Sequence, residues 1–179
     1  MDITAHFNAN FFALFDLPVA FVIDIAELDR RYREVQAQVH PDRFTQADDT
    51  QRRLSMQWAT RANEAYQTLK KPLARAKYVL ELAGVDLQAE SNTAMAPEFL
   101  MEQMEWREAV MEARMGGEHH ELEHLHNRLR ADIRQRYTQM GDLLDTQQDY
   151  AAAAELARRL MFLEKLVHEI DDALTALDE

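Results

Sequence analysis

The fold is decided by residues 24–69, which read DIAELDRRYREVQAQVHPDRFTQADDTQRRLSMQWATRANEAYQTL. In each half of this stretch, apolar residues recur every three or four positions, which is the spacing of an amphipathic helix. Pro41 separates the halves and disfavours helical geometry at His40, so the first helix must end there. We therefore predict two helices, at about 24–39 and 48–69, joined by a short loop into an antiparallel hairpin.

The first of these helices has a start signal and a charged outer face. Asp24 is the predicted N-cap, and Glu27 stands three residues later, where a capping box has its acid. Opposite charges four positions apart are expected to pair on the outer surface, namely Glu27 with Arg31, Asp29 with Arg33, and Arg30 with Glu34.

The rest of the chain also has helical spacing, so the predicted fold class is all-α. A short helix at 10–15 precedes the hairpin, and Pro72 is typical of the first turn of a helix that ends near Gly84. Further on, short turns favour an antiparallel bundle of three helices, at about 97–115, 118–144 and 148–177. We thus divide the chain into an N-terminal domain, a linker and an acidic bundle, at residues 1–83, 84–96 and 97–179.

Composition and charge exclude several function classes. The 179 residues include no cysteine, which excludes disulfides, thiolate zinc sites and cysteine nucleophiles. Residues 1–75 carry ten basic and ten acidic residues, whereas residues 76–179 carry ten and 22. The net charge of −12 is opposite to the bias of a duplex nucleic-acid binder. The apolar stretch Leu17–Ile23 is too short for a membrane span and follows no basic segment, so a cytoplasmic location is expected.

The tripeptide His40-Pro41-Asp42 joins the two helices of the hairpin. Proline restricts the loop, so the side chains beside it lose little further entropy when they bind a partner. Asp42 offers a carboxylate to a partner's arginine, and His40 offers a ring donor. The alternative is an ordinary turn, because Pro-Asp is common in turns. The position between two antiparallel helices favours the binding interpretation.

Three segments within or close to residues 11–78 resemble, in order and spacing, the J-domain of DnaJ-type co-chaperones. They are FFALFDLP, LDRRYREVQAQVHPDRF and NEAYQTLKKPLARAKYVL. The acidic remainder contains FLMEQMEWRE and RRLMFLEKL, and it is similar to the C-terminal domain of the HscB co-chaperones of iron–sulfur cluster assembly. The resemblance covers nearly the whole chain after the first ten residues.

The resemblance implies that the chain stimulates the ATPase of an HscA-type chaperone. It assigns the chaperone contact to His40, Pro41, Asp42, Arg30, Arg31, Arg33 and Arg43. Arg43 stands where many J-domains have lysine, which keeps the charge. The helix arginines lie off the apolar stripe, which supports a docking face, with an ordinary solvated surface as the alternative.

A second candidate surface lies on the helix predicted at 97–115, which has apolar residues on two faces. A bundle helix needs one buried stripe, so the surplus indicates either an exposed interface or a wide bundle core. Leu166 likewise falls off the seam of the last helix, as does Phe162. The resemblance implies that an IscU-type scaffold protein binds Leu100, Met101, Met104, Glu105, Glu108 and Phe162. Met104 stands where leucine is usual, a change that conserves volume.

Residues 120–124, HELEH, match the H-E-x-x-H pattern of zinc hydrolases. At 100° per residue, His120 and His124 each lie about 200° from Leu122, which belongs to the buried stripe. Both histidines should therefore face solvent and not a cleft. We expect no metal, cofactor or catalytic residue.

Taken with the resemblance, the sequence predicts a monomeric co-chaperone and adaptor that is not itself an enzyme. Its expected partners are an HscA-type chaperone and an IscU-type scaffold, with no nucleic-acid or membrane partner. Two alternatives stay open: a general J-domain co-chaperone for misfolded clients, and a metal-dependent hydrolase that uses His120, Glu121 and His124.

Overall fold

The computed structural model describes residues 9–40, 42, 48–87, 96–117 and 119–178, and the regular elements in these ranges are all helical. The predicted all-α fold class is confirmed. The chain divides into two compact units, Met1–Val79 and Leu80–Glu179. The helices are α1 (Phe11–Leu14), α2 (Ile25–Val39), α3 (Asp49–Lys70), α4 (Pro72–Leu82), α5 (Pro97–Gly116), α6 (His119–Gly141), a π-helical segment (Asp142–Gln147) and α7 (Tyr150–Asp178).

Local capping residues set where the helices of the N-terminal unit begin. The Asp24 carboxylate accepts from the N–H groups of Ala26 and Glu27 at 2.9 and 3.3 Å. Asp48 caps α3 in the same way. The capping box predicted for α2 is only half formed among the described residues, because the Glu27 carboxylate accepts from two arginines of its own helix instead.

Helices α2 and α3 pack against each other as the predicted antiparallel hairpin. Asp29 of α2 accepts a hydrogen bond from Tyr66 of α3, whereas Tyr32, one turn further along α2, meets the earlier residue Asn63. The Tyr32 and Tyr66 rings also stack with their centroids 4.0 Å apart. The apolar stripe of α3 runs from Leu54 to Leu69. Its C-terminal part is buried, at Ala62, Ala65 and Leu69, but Leu54 at its start is exposed.

Arg75 on α4 is a buried cation that connects three parts of the N-terminal unit. Its Nε donates to the carbonyl of Phe21 over 2.6 Å, and its Nη1 donates to the carbonyl of Leu69 over 2.5 Å. The guanidinium also lies over the Phe21 ring, 5.0 Å from its centroid. Arg75 therefore joins the segment between α1 and α2 to the end of α3.

Three helices form the C-terminal unit, in which α5 packs against both α6 and α7. One of the two apolar faces predicted for α5 is buried, and it consists of Phe99, Trp106, Val110 and Ala113. The last helix, α7, has a seam of apolar residues at a near-heptad spacing, and most of it is buried, namely Leu156, Leu160, Leu163, Val167 and Ile170. Leu166, which lies off the seam of this helix, is buried, in agreement with the alternative of a wide bundle core at this position.

The second bundle helix ends earlier than its apolar pattern indicates. Regular α-helix stops at Gly141, and the chain continues through the π-helical segment to Gln147. Leu143 and Leu144 in this segment are buried, so the wider turn keeps both side chains in the core. No helix of the described residues is both long and apolar enough to cross a membrane.

Candidate partner-binding sites

The corner after α2 presents His40 and Asp42 to solvent, with side chains 55% and 86% exposed. The backbone N–H of Asp42 donates to Nδ1 of His40 over 3.3 Å, and the Asp42 carboxylate lies 3.5 Å from the same nitrogen. A neutral ring that accepts at Nδ1 carries its proton on Nε2, which makes Nε2 a donor for a partner. Pro41 and Arg43 lie outside the described residues.

The arginines of α2 differ in how their charge is balanced. Arg30 and Arg31 both pair with Glu27, at 2.5 and 2.8 Å, and each has a second carboxylate partner. Arg33 is exposed, and no carboxylate in the described ranges lies within ion-pair distance of it. Of these three arginines, Arg33 is therefore the one without an ion pair in the described ranges, although its charge still acts on the nearby Asp29 carboxylate.

The predicted pair of Asp29 with Arg33 is not formed, because Asp29 is engaged with α3. The Tyr66 hydroxyl donates to Asp29 over 2.8 Å, and Lys70 Nζ lies 3.5 Å from the same carboxylate. The hydrogen bond from Tyr66 lowers the pKa of Asp29 below its usual value. Asp29 thus links the two helices of the hairpin.

Glu27 makes the stability of the N-terminal unit depend on pH. Hydrogen bonds from Arg30 and Arg31, of which the one from Arg30 has the larger effect, hold the pKa of Glu27 at about 2, against 4.5 for a free side chain. Because the unfolded chain binds the proton first, the stabilisation is complete above pH 4.5 and is lost as the pH falls towards 2. We expect the difference in unfolding free energy between wild type and Glu27→Gln to narrow over that interval. Urea titrations at several pH values measure it, and a pH-independent difference would contradict the assignment.

The outer face of α5 is exposed and apolar. Leu100, Met101 and Met104 are 45%, 62% and 70% exposed, and the acids Glu105 and Glu108 beside them are exposed as well. The alternative that these apolar residues fill a wide bundle core is therefore wrong. With Phe162 of α7, they form what we call the α5 surface, defined by Leu100, Met101, Met104, Glu105, Glu108 and Phe162.

Phe162 is half-buried and held between two side chains of α5. The edge of the Phe99 ring contacts it at a centroid distance of 6.0 Å, and the Arg107 guanidinium lies 5.5 Å from its centroid. The sequence interpretation missed Arg107. The available signal was its position three residues after Met104, on the same exposed side of the helix.

A charged network behind the α5 surface fixes α5 to its neighbours. Glu102 accepts from Arg136 of α6 and lies 3.8 Å from Arg159 of α7. Arg159 in turn lies over the Phe99 ring, 5.5 Å from its centroid. Because Glu102 follows Met101 directly, this network sets the position of the exposed residues.

The H-E-x-x-H segment has the exposure that the helical spacing predicts. His120 and His124 are exposed, and Leu122 is buried. His126 pairs with Asp171 of α7, with Nε2 and Oδ1 2.9 Å apart. Within the described ranges, no three His, Cys, Asp or Glu side chains are grouped to hold a metal ion.

Comparison with known proteins finds similar proteins for both parts of the chain. Residues 95–171 match the family model described as the HSCB C-terminal oligomerisation domain. A co-chaperone HscB homologue of Aromatoleum aromaticum is 59% identical over 94% of this chain and 96% of its own. The solved chaperone HscB from Vibrio cholerae has a TM-score of 0.82 at 36% identity, with 94% of this chain and 99% of that chain covered. The crystal structure of human HscB has a TM-score of 0.84 at 28% identity, covering 91% and 81%.

Identity at this level over almost the full length of both proteins shows a common fold and a common class, the helical co-chaperones. The chain belongs to the HscB family. Its role is accordingly that of a co-chaperone in iron–sulfur cluster assembly, and not that of an enzyme.

Proposed function

We propose that the chain is a two-site adaptor. Its α5 surface binds an IscU-type cluster scaffold, and the corner at His40 and Asp42 engages an HscA-type chaperone and stimulates its ATPase. The observation that carries the proposal is the pair of opposite faces on α5, one buried in the bundle and the other exposed with Leu100 and Met104.

The α5 surface has the composition of a protein interface. Exposed apolar clusters mark binding sites, and methionine adapts its shape to a partner. Glu105 and Glu108 form a polar rim at its edge, as interfaces commonly have. The partner is therefore expected to bring an apolar patch flanked by basic groups.

The corner after α2 has the chemistry to hold a partner. Nε2 of His40 can donate and the Asp42 carboxylate can accept, so both can bind polar groups of a chaperone. A co-chaperone of this kind acts by binding one conformation of its partner more tightly than another, which shifts the partner's equilibrium.

The uneven distribution of charge along the chain supports two different partners. Residues 1–75 are neutral, whereas residues 76–179 carry the net charge of −12. Charge steers association and suppresses wrong partners. A cation-bearing scaffold would be attracted to the acidic part, and Arg33, which is exposed and forms no ion pair in the described ranges, offers a cation to a chaperone.

Scaffold affinity tests the assignment of the α5 surface. We expect Met104→Ala to weaken scaffold binding at least about tenfold, because a central apolar contact is lost. Met56→Ala is the matched control, since Met56 on α3 is a methionine of comparable exposure, at 62%, in the other unit. Isothermal titration calorimetry with the full chain measures both.

Two results would contradict the proposal, one from this titration and one from a competition experiment. Equal affinities of Met104→Ala and Met56→Ala for the scaffold would remove the α5 surface from the contact. An unfolded model client that competes fully with the scaffold would instead indicate a general co-chaperone without scaffold selectivity.

A further inference from the structure

We propose that the α5 surface continues into a basic groove that binds a carboxylate-bearing, partly apolar segment of the same scaffold protein. The groove lies between α5 and α7 and has a volume of about 620 Å³. Its walls and floor come from Arg107, Val110, Met111, Arg114, Met115 and Leu166. This inference rests on the proposed scaffold binding and extends it to a second contact.

The groove is apolar in its floor and along one wall. Val110 and Leu166 are buried and close it towards the bundle, while Met111 and Met115 are exposed above them. Met111 and Met115 are four residues apart and therefore lie on one side of α5. An inorganic anion would gain little from such walls, whereas the side chains of a peptide segment would bury apolar area against them.

The charge of the groove is opposite to that of its surroundings. Residues 80–179 contain nine basic and 22 acidic residues, yet two of the nine face this groove. Neither Arg107 nor Arg114 forms an ion pair with a carboxylate in the described ranges. Glu169 also lines the groove, so its lining keeps one net positive charge. A carboxylate of the partner fits this site.

Arg107 connects the groove to the α5 surface. The guanidinium stacks on Phe162, which belongs to that surface, and it lines the groove at the same time. The apolar positions Leu100, Met104, Met111 and Met115 continue along one side of α5 between the two regions. One partner can therefore contact both without a break.

The order of charges along α5 gives the bound scaffold a direction. Acidic residues Glu105 and Glu108 flank the α5 surface, and Arg114 follows at the C-terminal end of the helix. A partner that brings a basic group to the first region and an acidic group to the second binds in one orientation only, since the reverse places like charges together.

Charge reversal in the groove tests the inference. We expect Arg114→Glu to weaken binding of the full chain to the IscU-type scaffold about tenfold, and less at high salt. Arg134→Glu on α6 makes the same charge change at an exposed position outside the groove lining, and it should change affinity less than about twofold. Arg114→Gln removes the charge without adding an acid at the helix terminus, and it should weaken binding by a smaller factor.

The outcomes separate the groove from the proposed function. If Leu100→Ala weakens binding while Arg114→Glu and Arg114→Gln behave like Arg134→Glu, the groove is not a contact and the inference is wrong. If Leu100→Ala also leaves the affinity unchanged, the scaffold-binding function itself is wrong. A loss at Arg114 that salt does not reduce would exclude a carboxylate as the occupant.

Discussion

Replacement of His40 by glutamine is expected to abolish stimulation of an HscA-type ATPase while the folded chain keeps its stability. The ring is more than half exposed, and its described hydrogen bond is with the backbone of Asp42, two residues away. No part of the core depends on it, and surface substitutions of this kind change stability by about 0.5 kcal/mol or less. Glutamine keeps polarity and an amide donor, but it removes the rigid imidazole ring and the fixed position of its Nε2 donor.

A steady-state ATPase assay on the partner chaperone measures this effect, with and without scaffold. Gln38→Ala, an exposed polar residue one half-turn earlier on α2, is the matched control and should stimulate like wild type. Normal stimulation by His40→Gln would remove the corner from the chaperone contact. A large drop in melting temperature would instead give His40 a structural role.

Replacement of Arg75 by methionine is expected to destabilise the N-terminal unit by about 3 kcal/mol or more, because two buried carbonyls lose their donors. Methionine fills the space of the arginine stem, so the loss reports hydrogen bonding more than packing. The carbonyls concerned belong to Phe21 and Leu69.

Urea unfolding followed by tryptophan fluorescence can isolate this unit. The chain has two tryptophans, Trp58 in the N-terminal unit and Trp106 in the C-terminal unit, so a Trp106→Phe background leaves Trp58 as the reporter. Lys77→Met removes an exposed charge from the same helix and should be nearly neutral. A loss below about 1 kcal/mol for Arg75→Met would mean that water replaces the lost donors.

Helix positions could be predicted closely because their signals are local. Asp24 and Asp48 cap the helices that follow them, and Gly84 and Gly117 adopt the left-handed conformation after the helices that they end. The π-helical segment could not be predicted, because it depends on which side chains the neighbouring helices bury. A pattern based on regular helical turns contains no such information.

The candidate sites and the contacts that support them were predictable only in part, because some side chains have partners that are distant in the sequence. Arg75 has carbonyl partners six and 54 residues away, and no local pattern relates such distant positions. Arg30 pairs with Glu34 and Arg31 pairs with Glu27, as helical spacing predicts, but the second partner of Arg31 is Asp16, which lies 15 residues earlier and outside any helical pattern. The sequence leaves the burial of Leu166 open, because the periodicity of one helix does not show how many neighbours that helix packs against.

Helix α5 keeps the residues that hold it in place apart from those that face outward. Phe99 and Trp106 anchor it inside, and Glu102 ties it at its flank, while Leu100 and Met104 are exposed on the outer face. Substitutions on the outer face of this helix therefore cost little folding energy. In the adaptor proposed above, scaffold preference can drift, or be redesigned, one outward residue at a time.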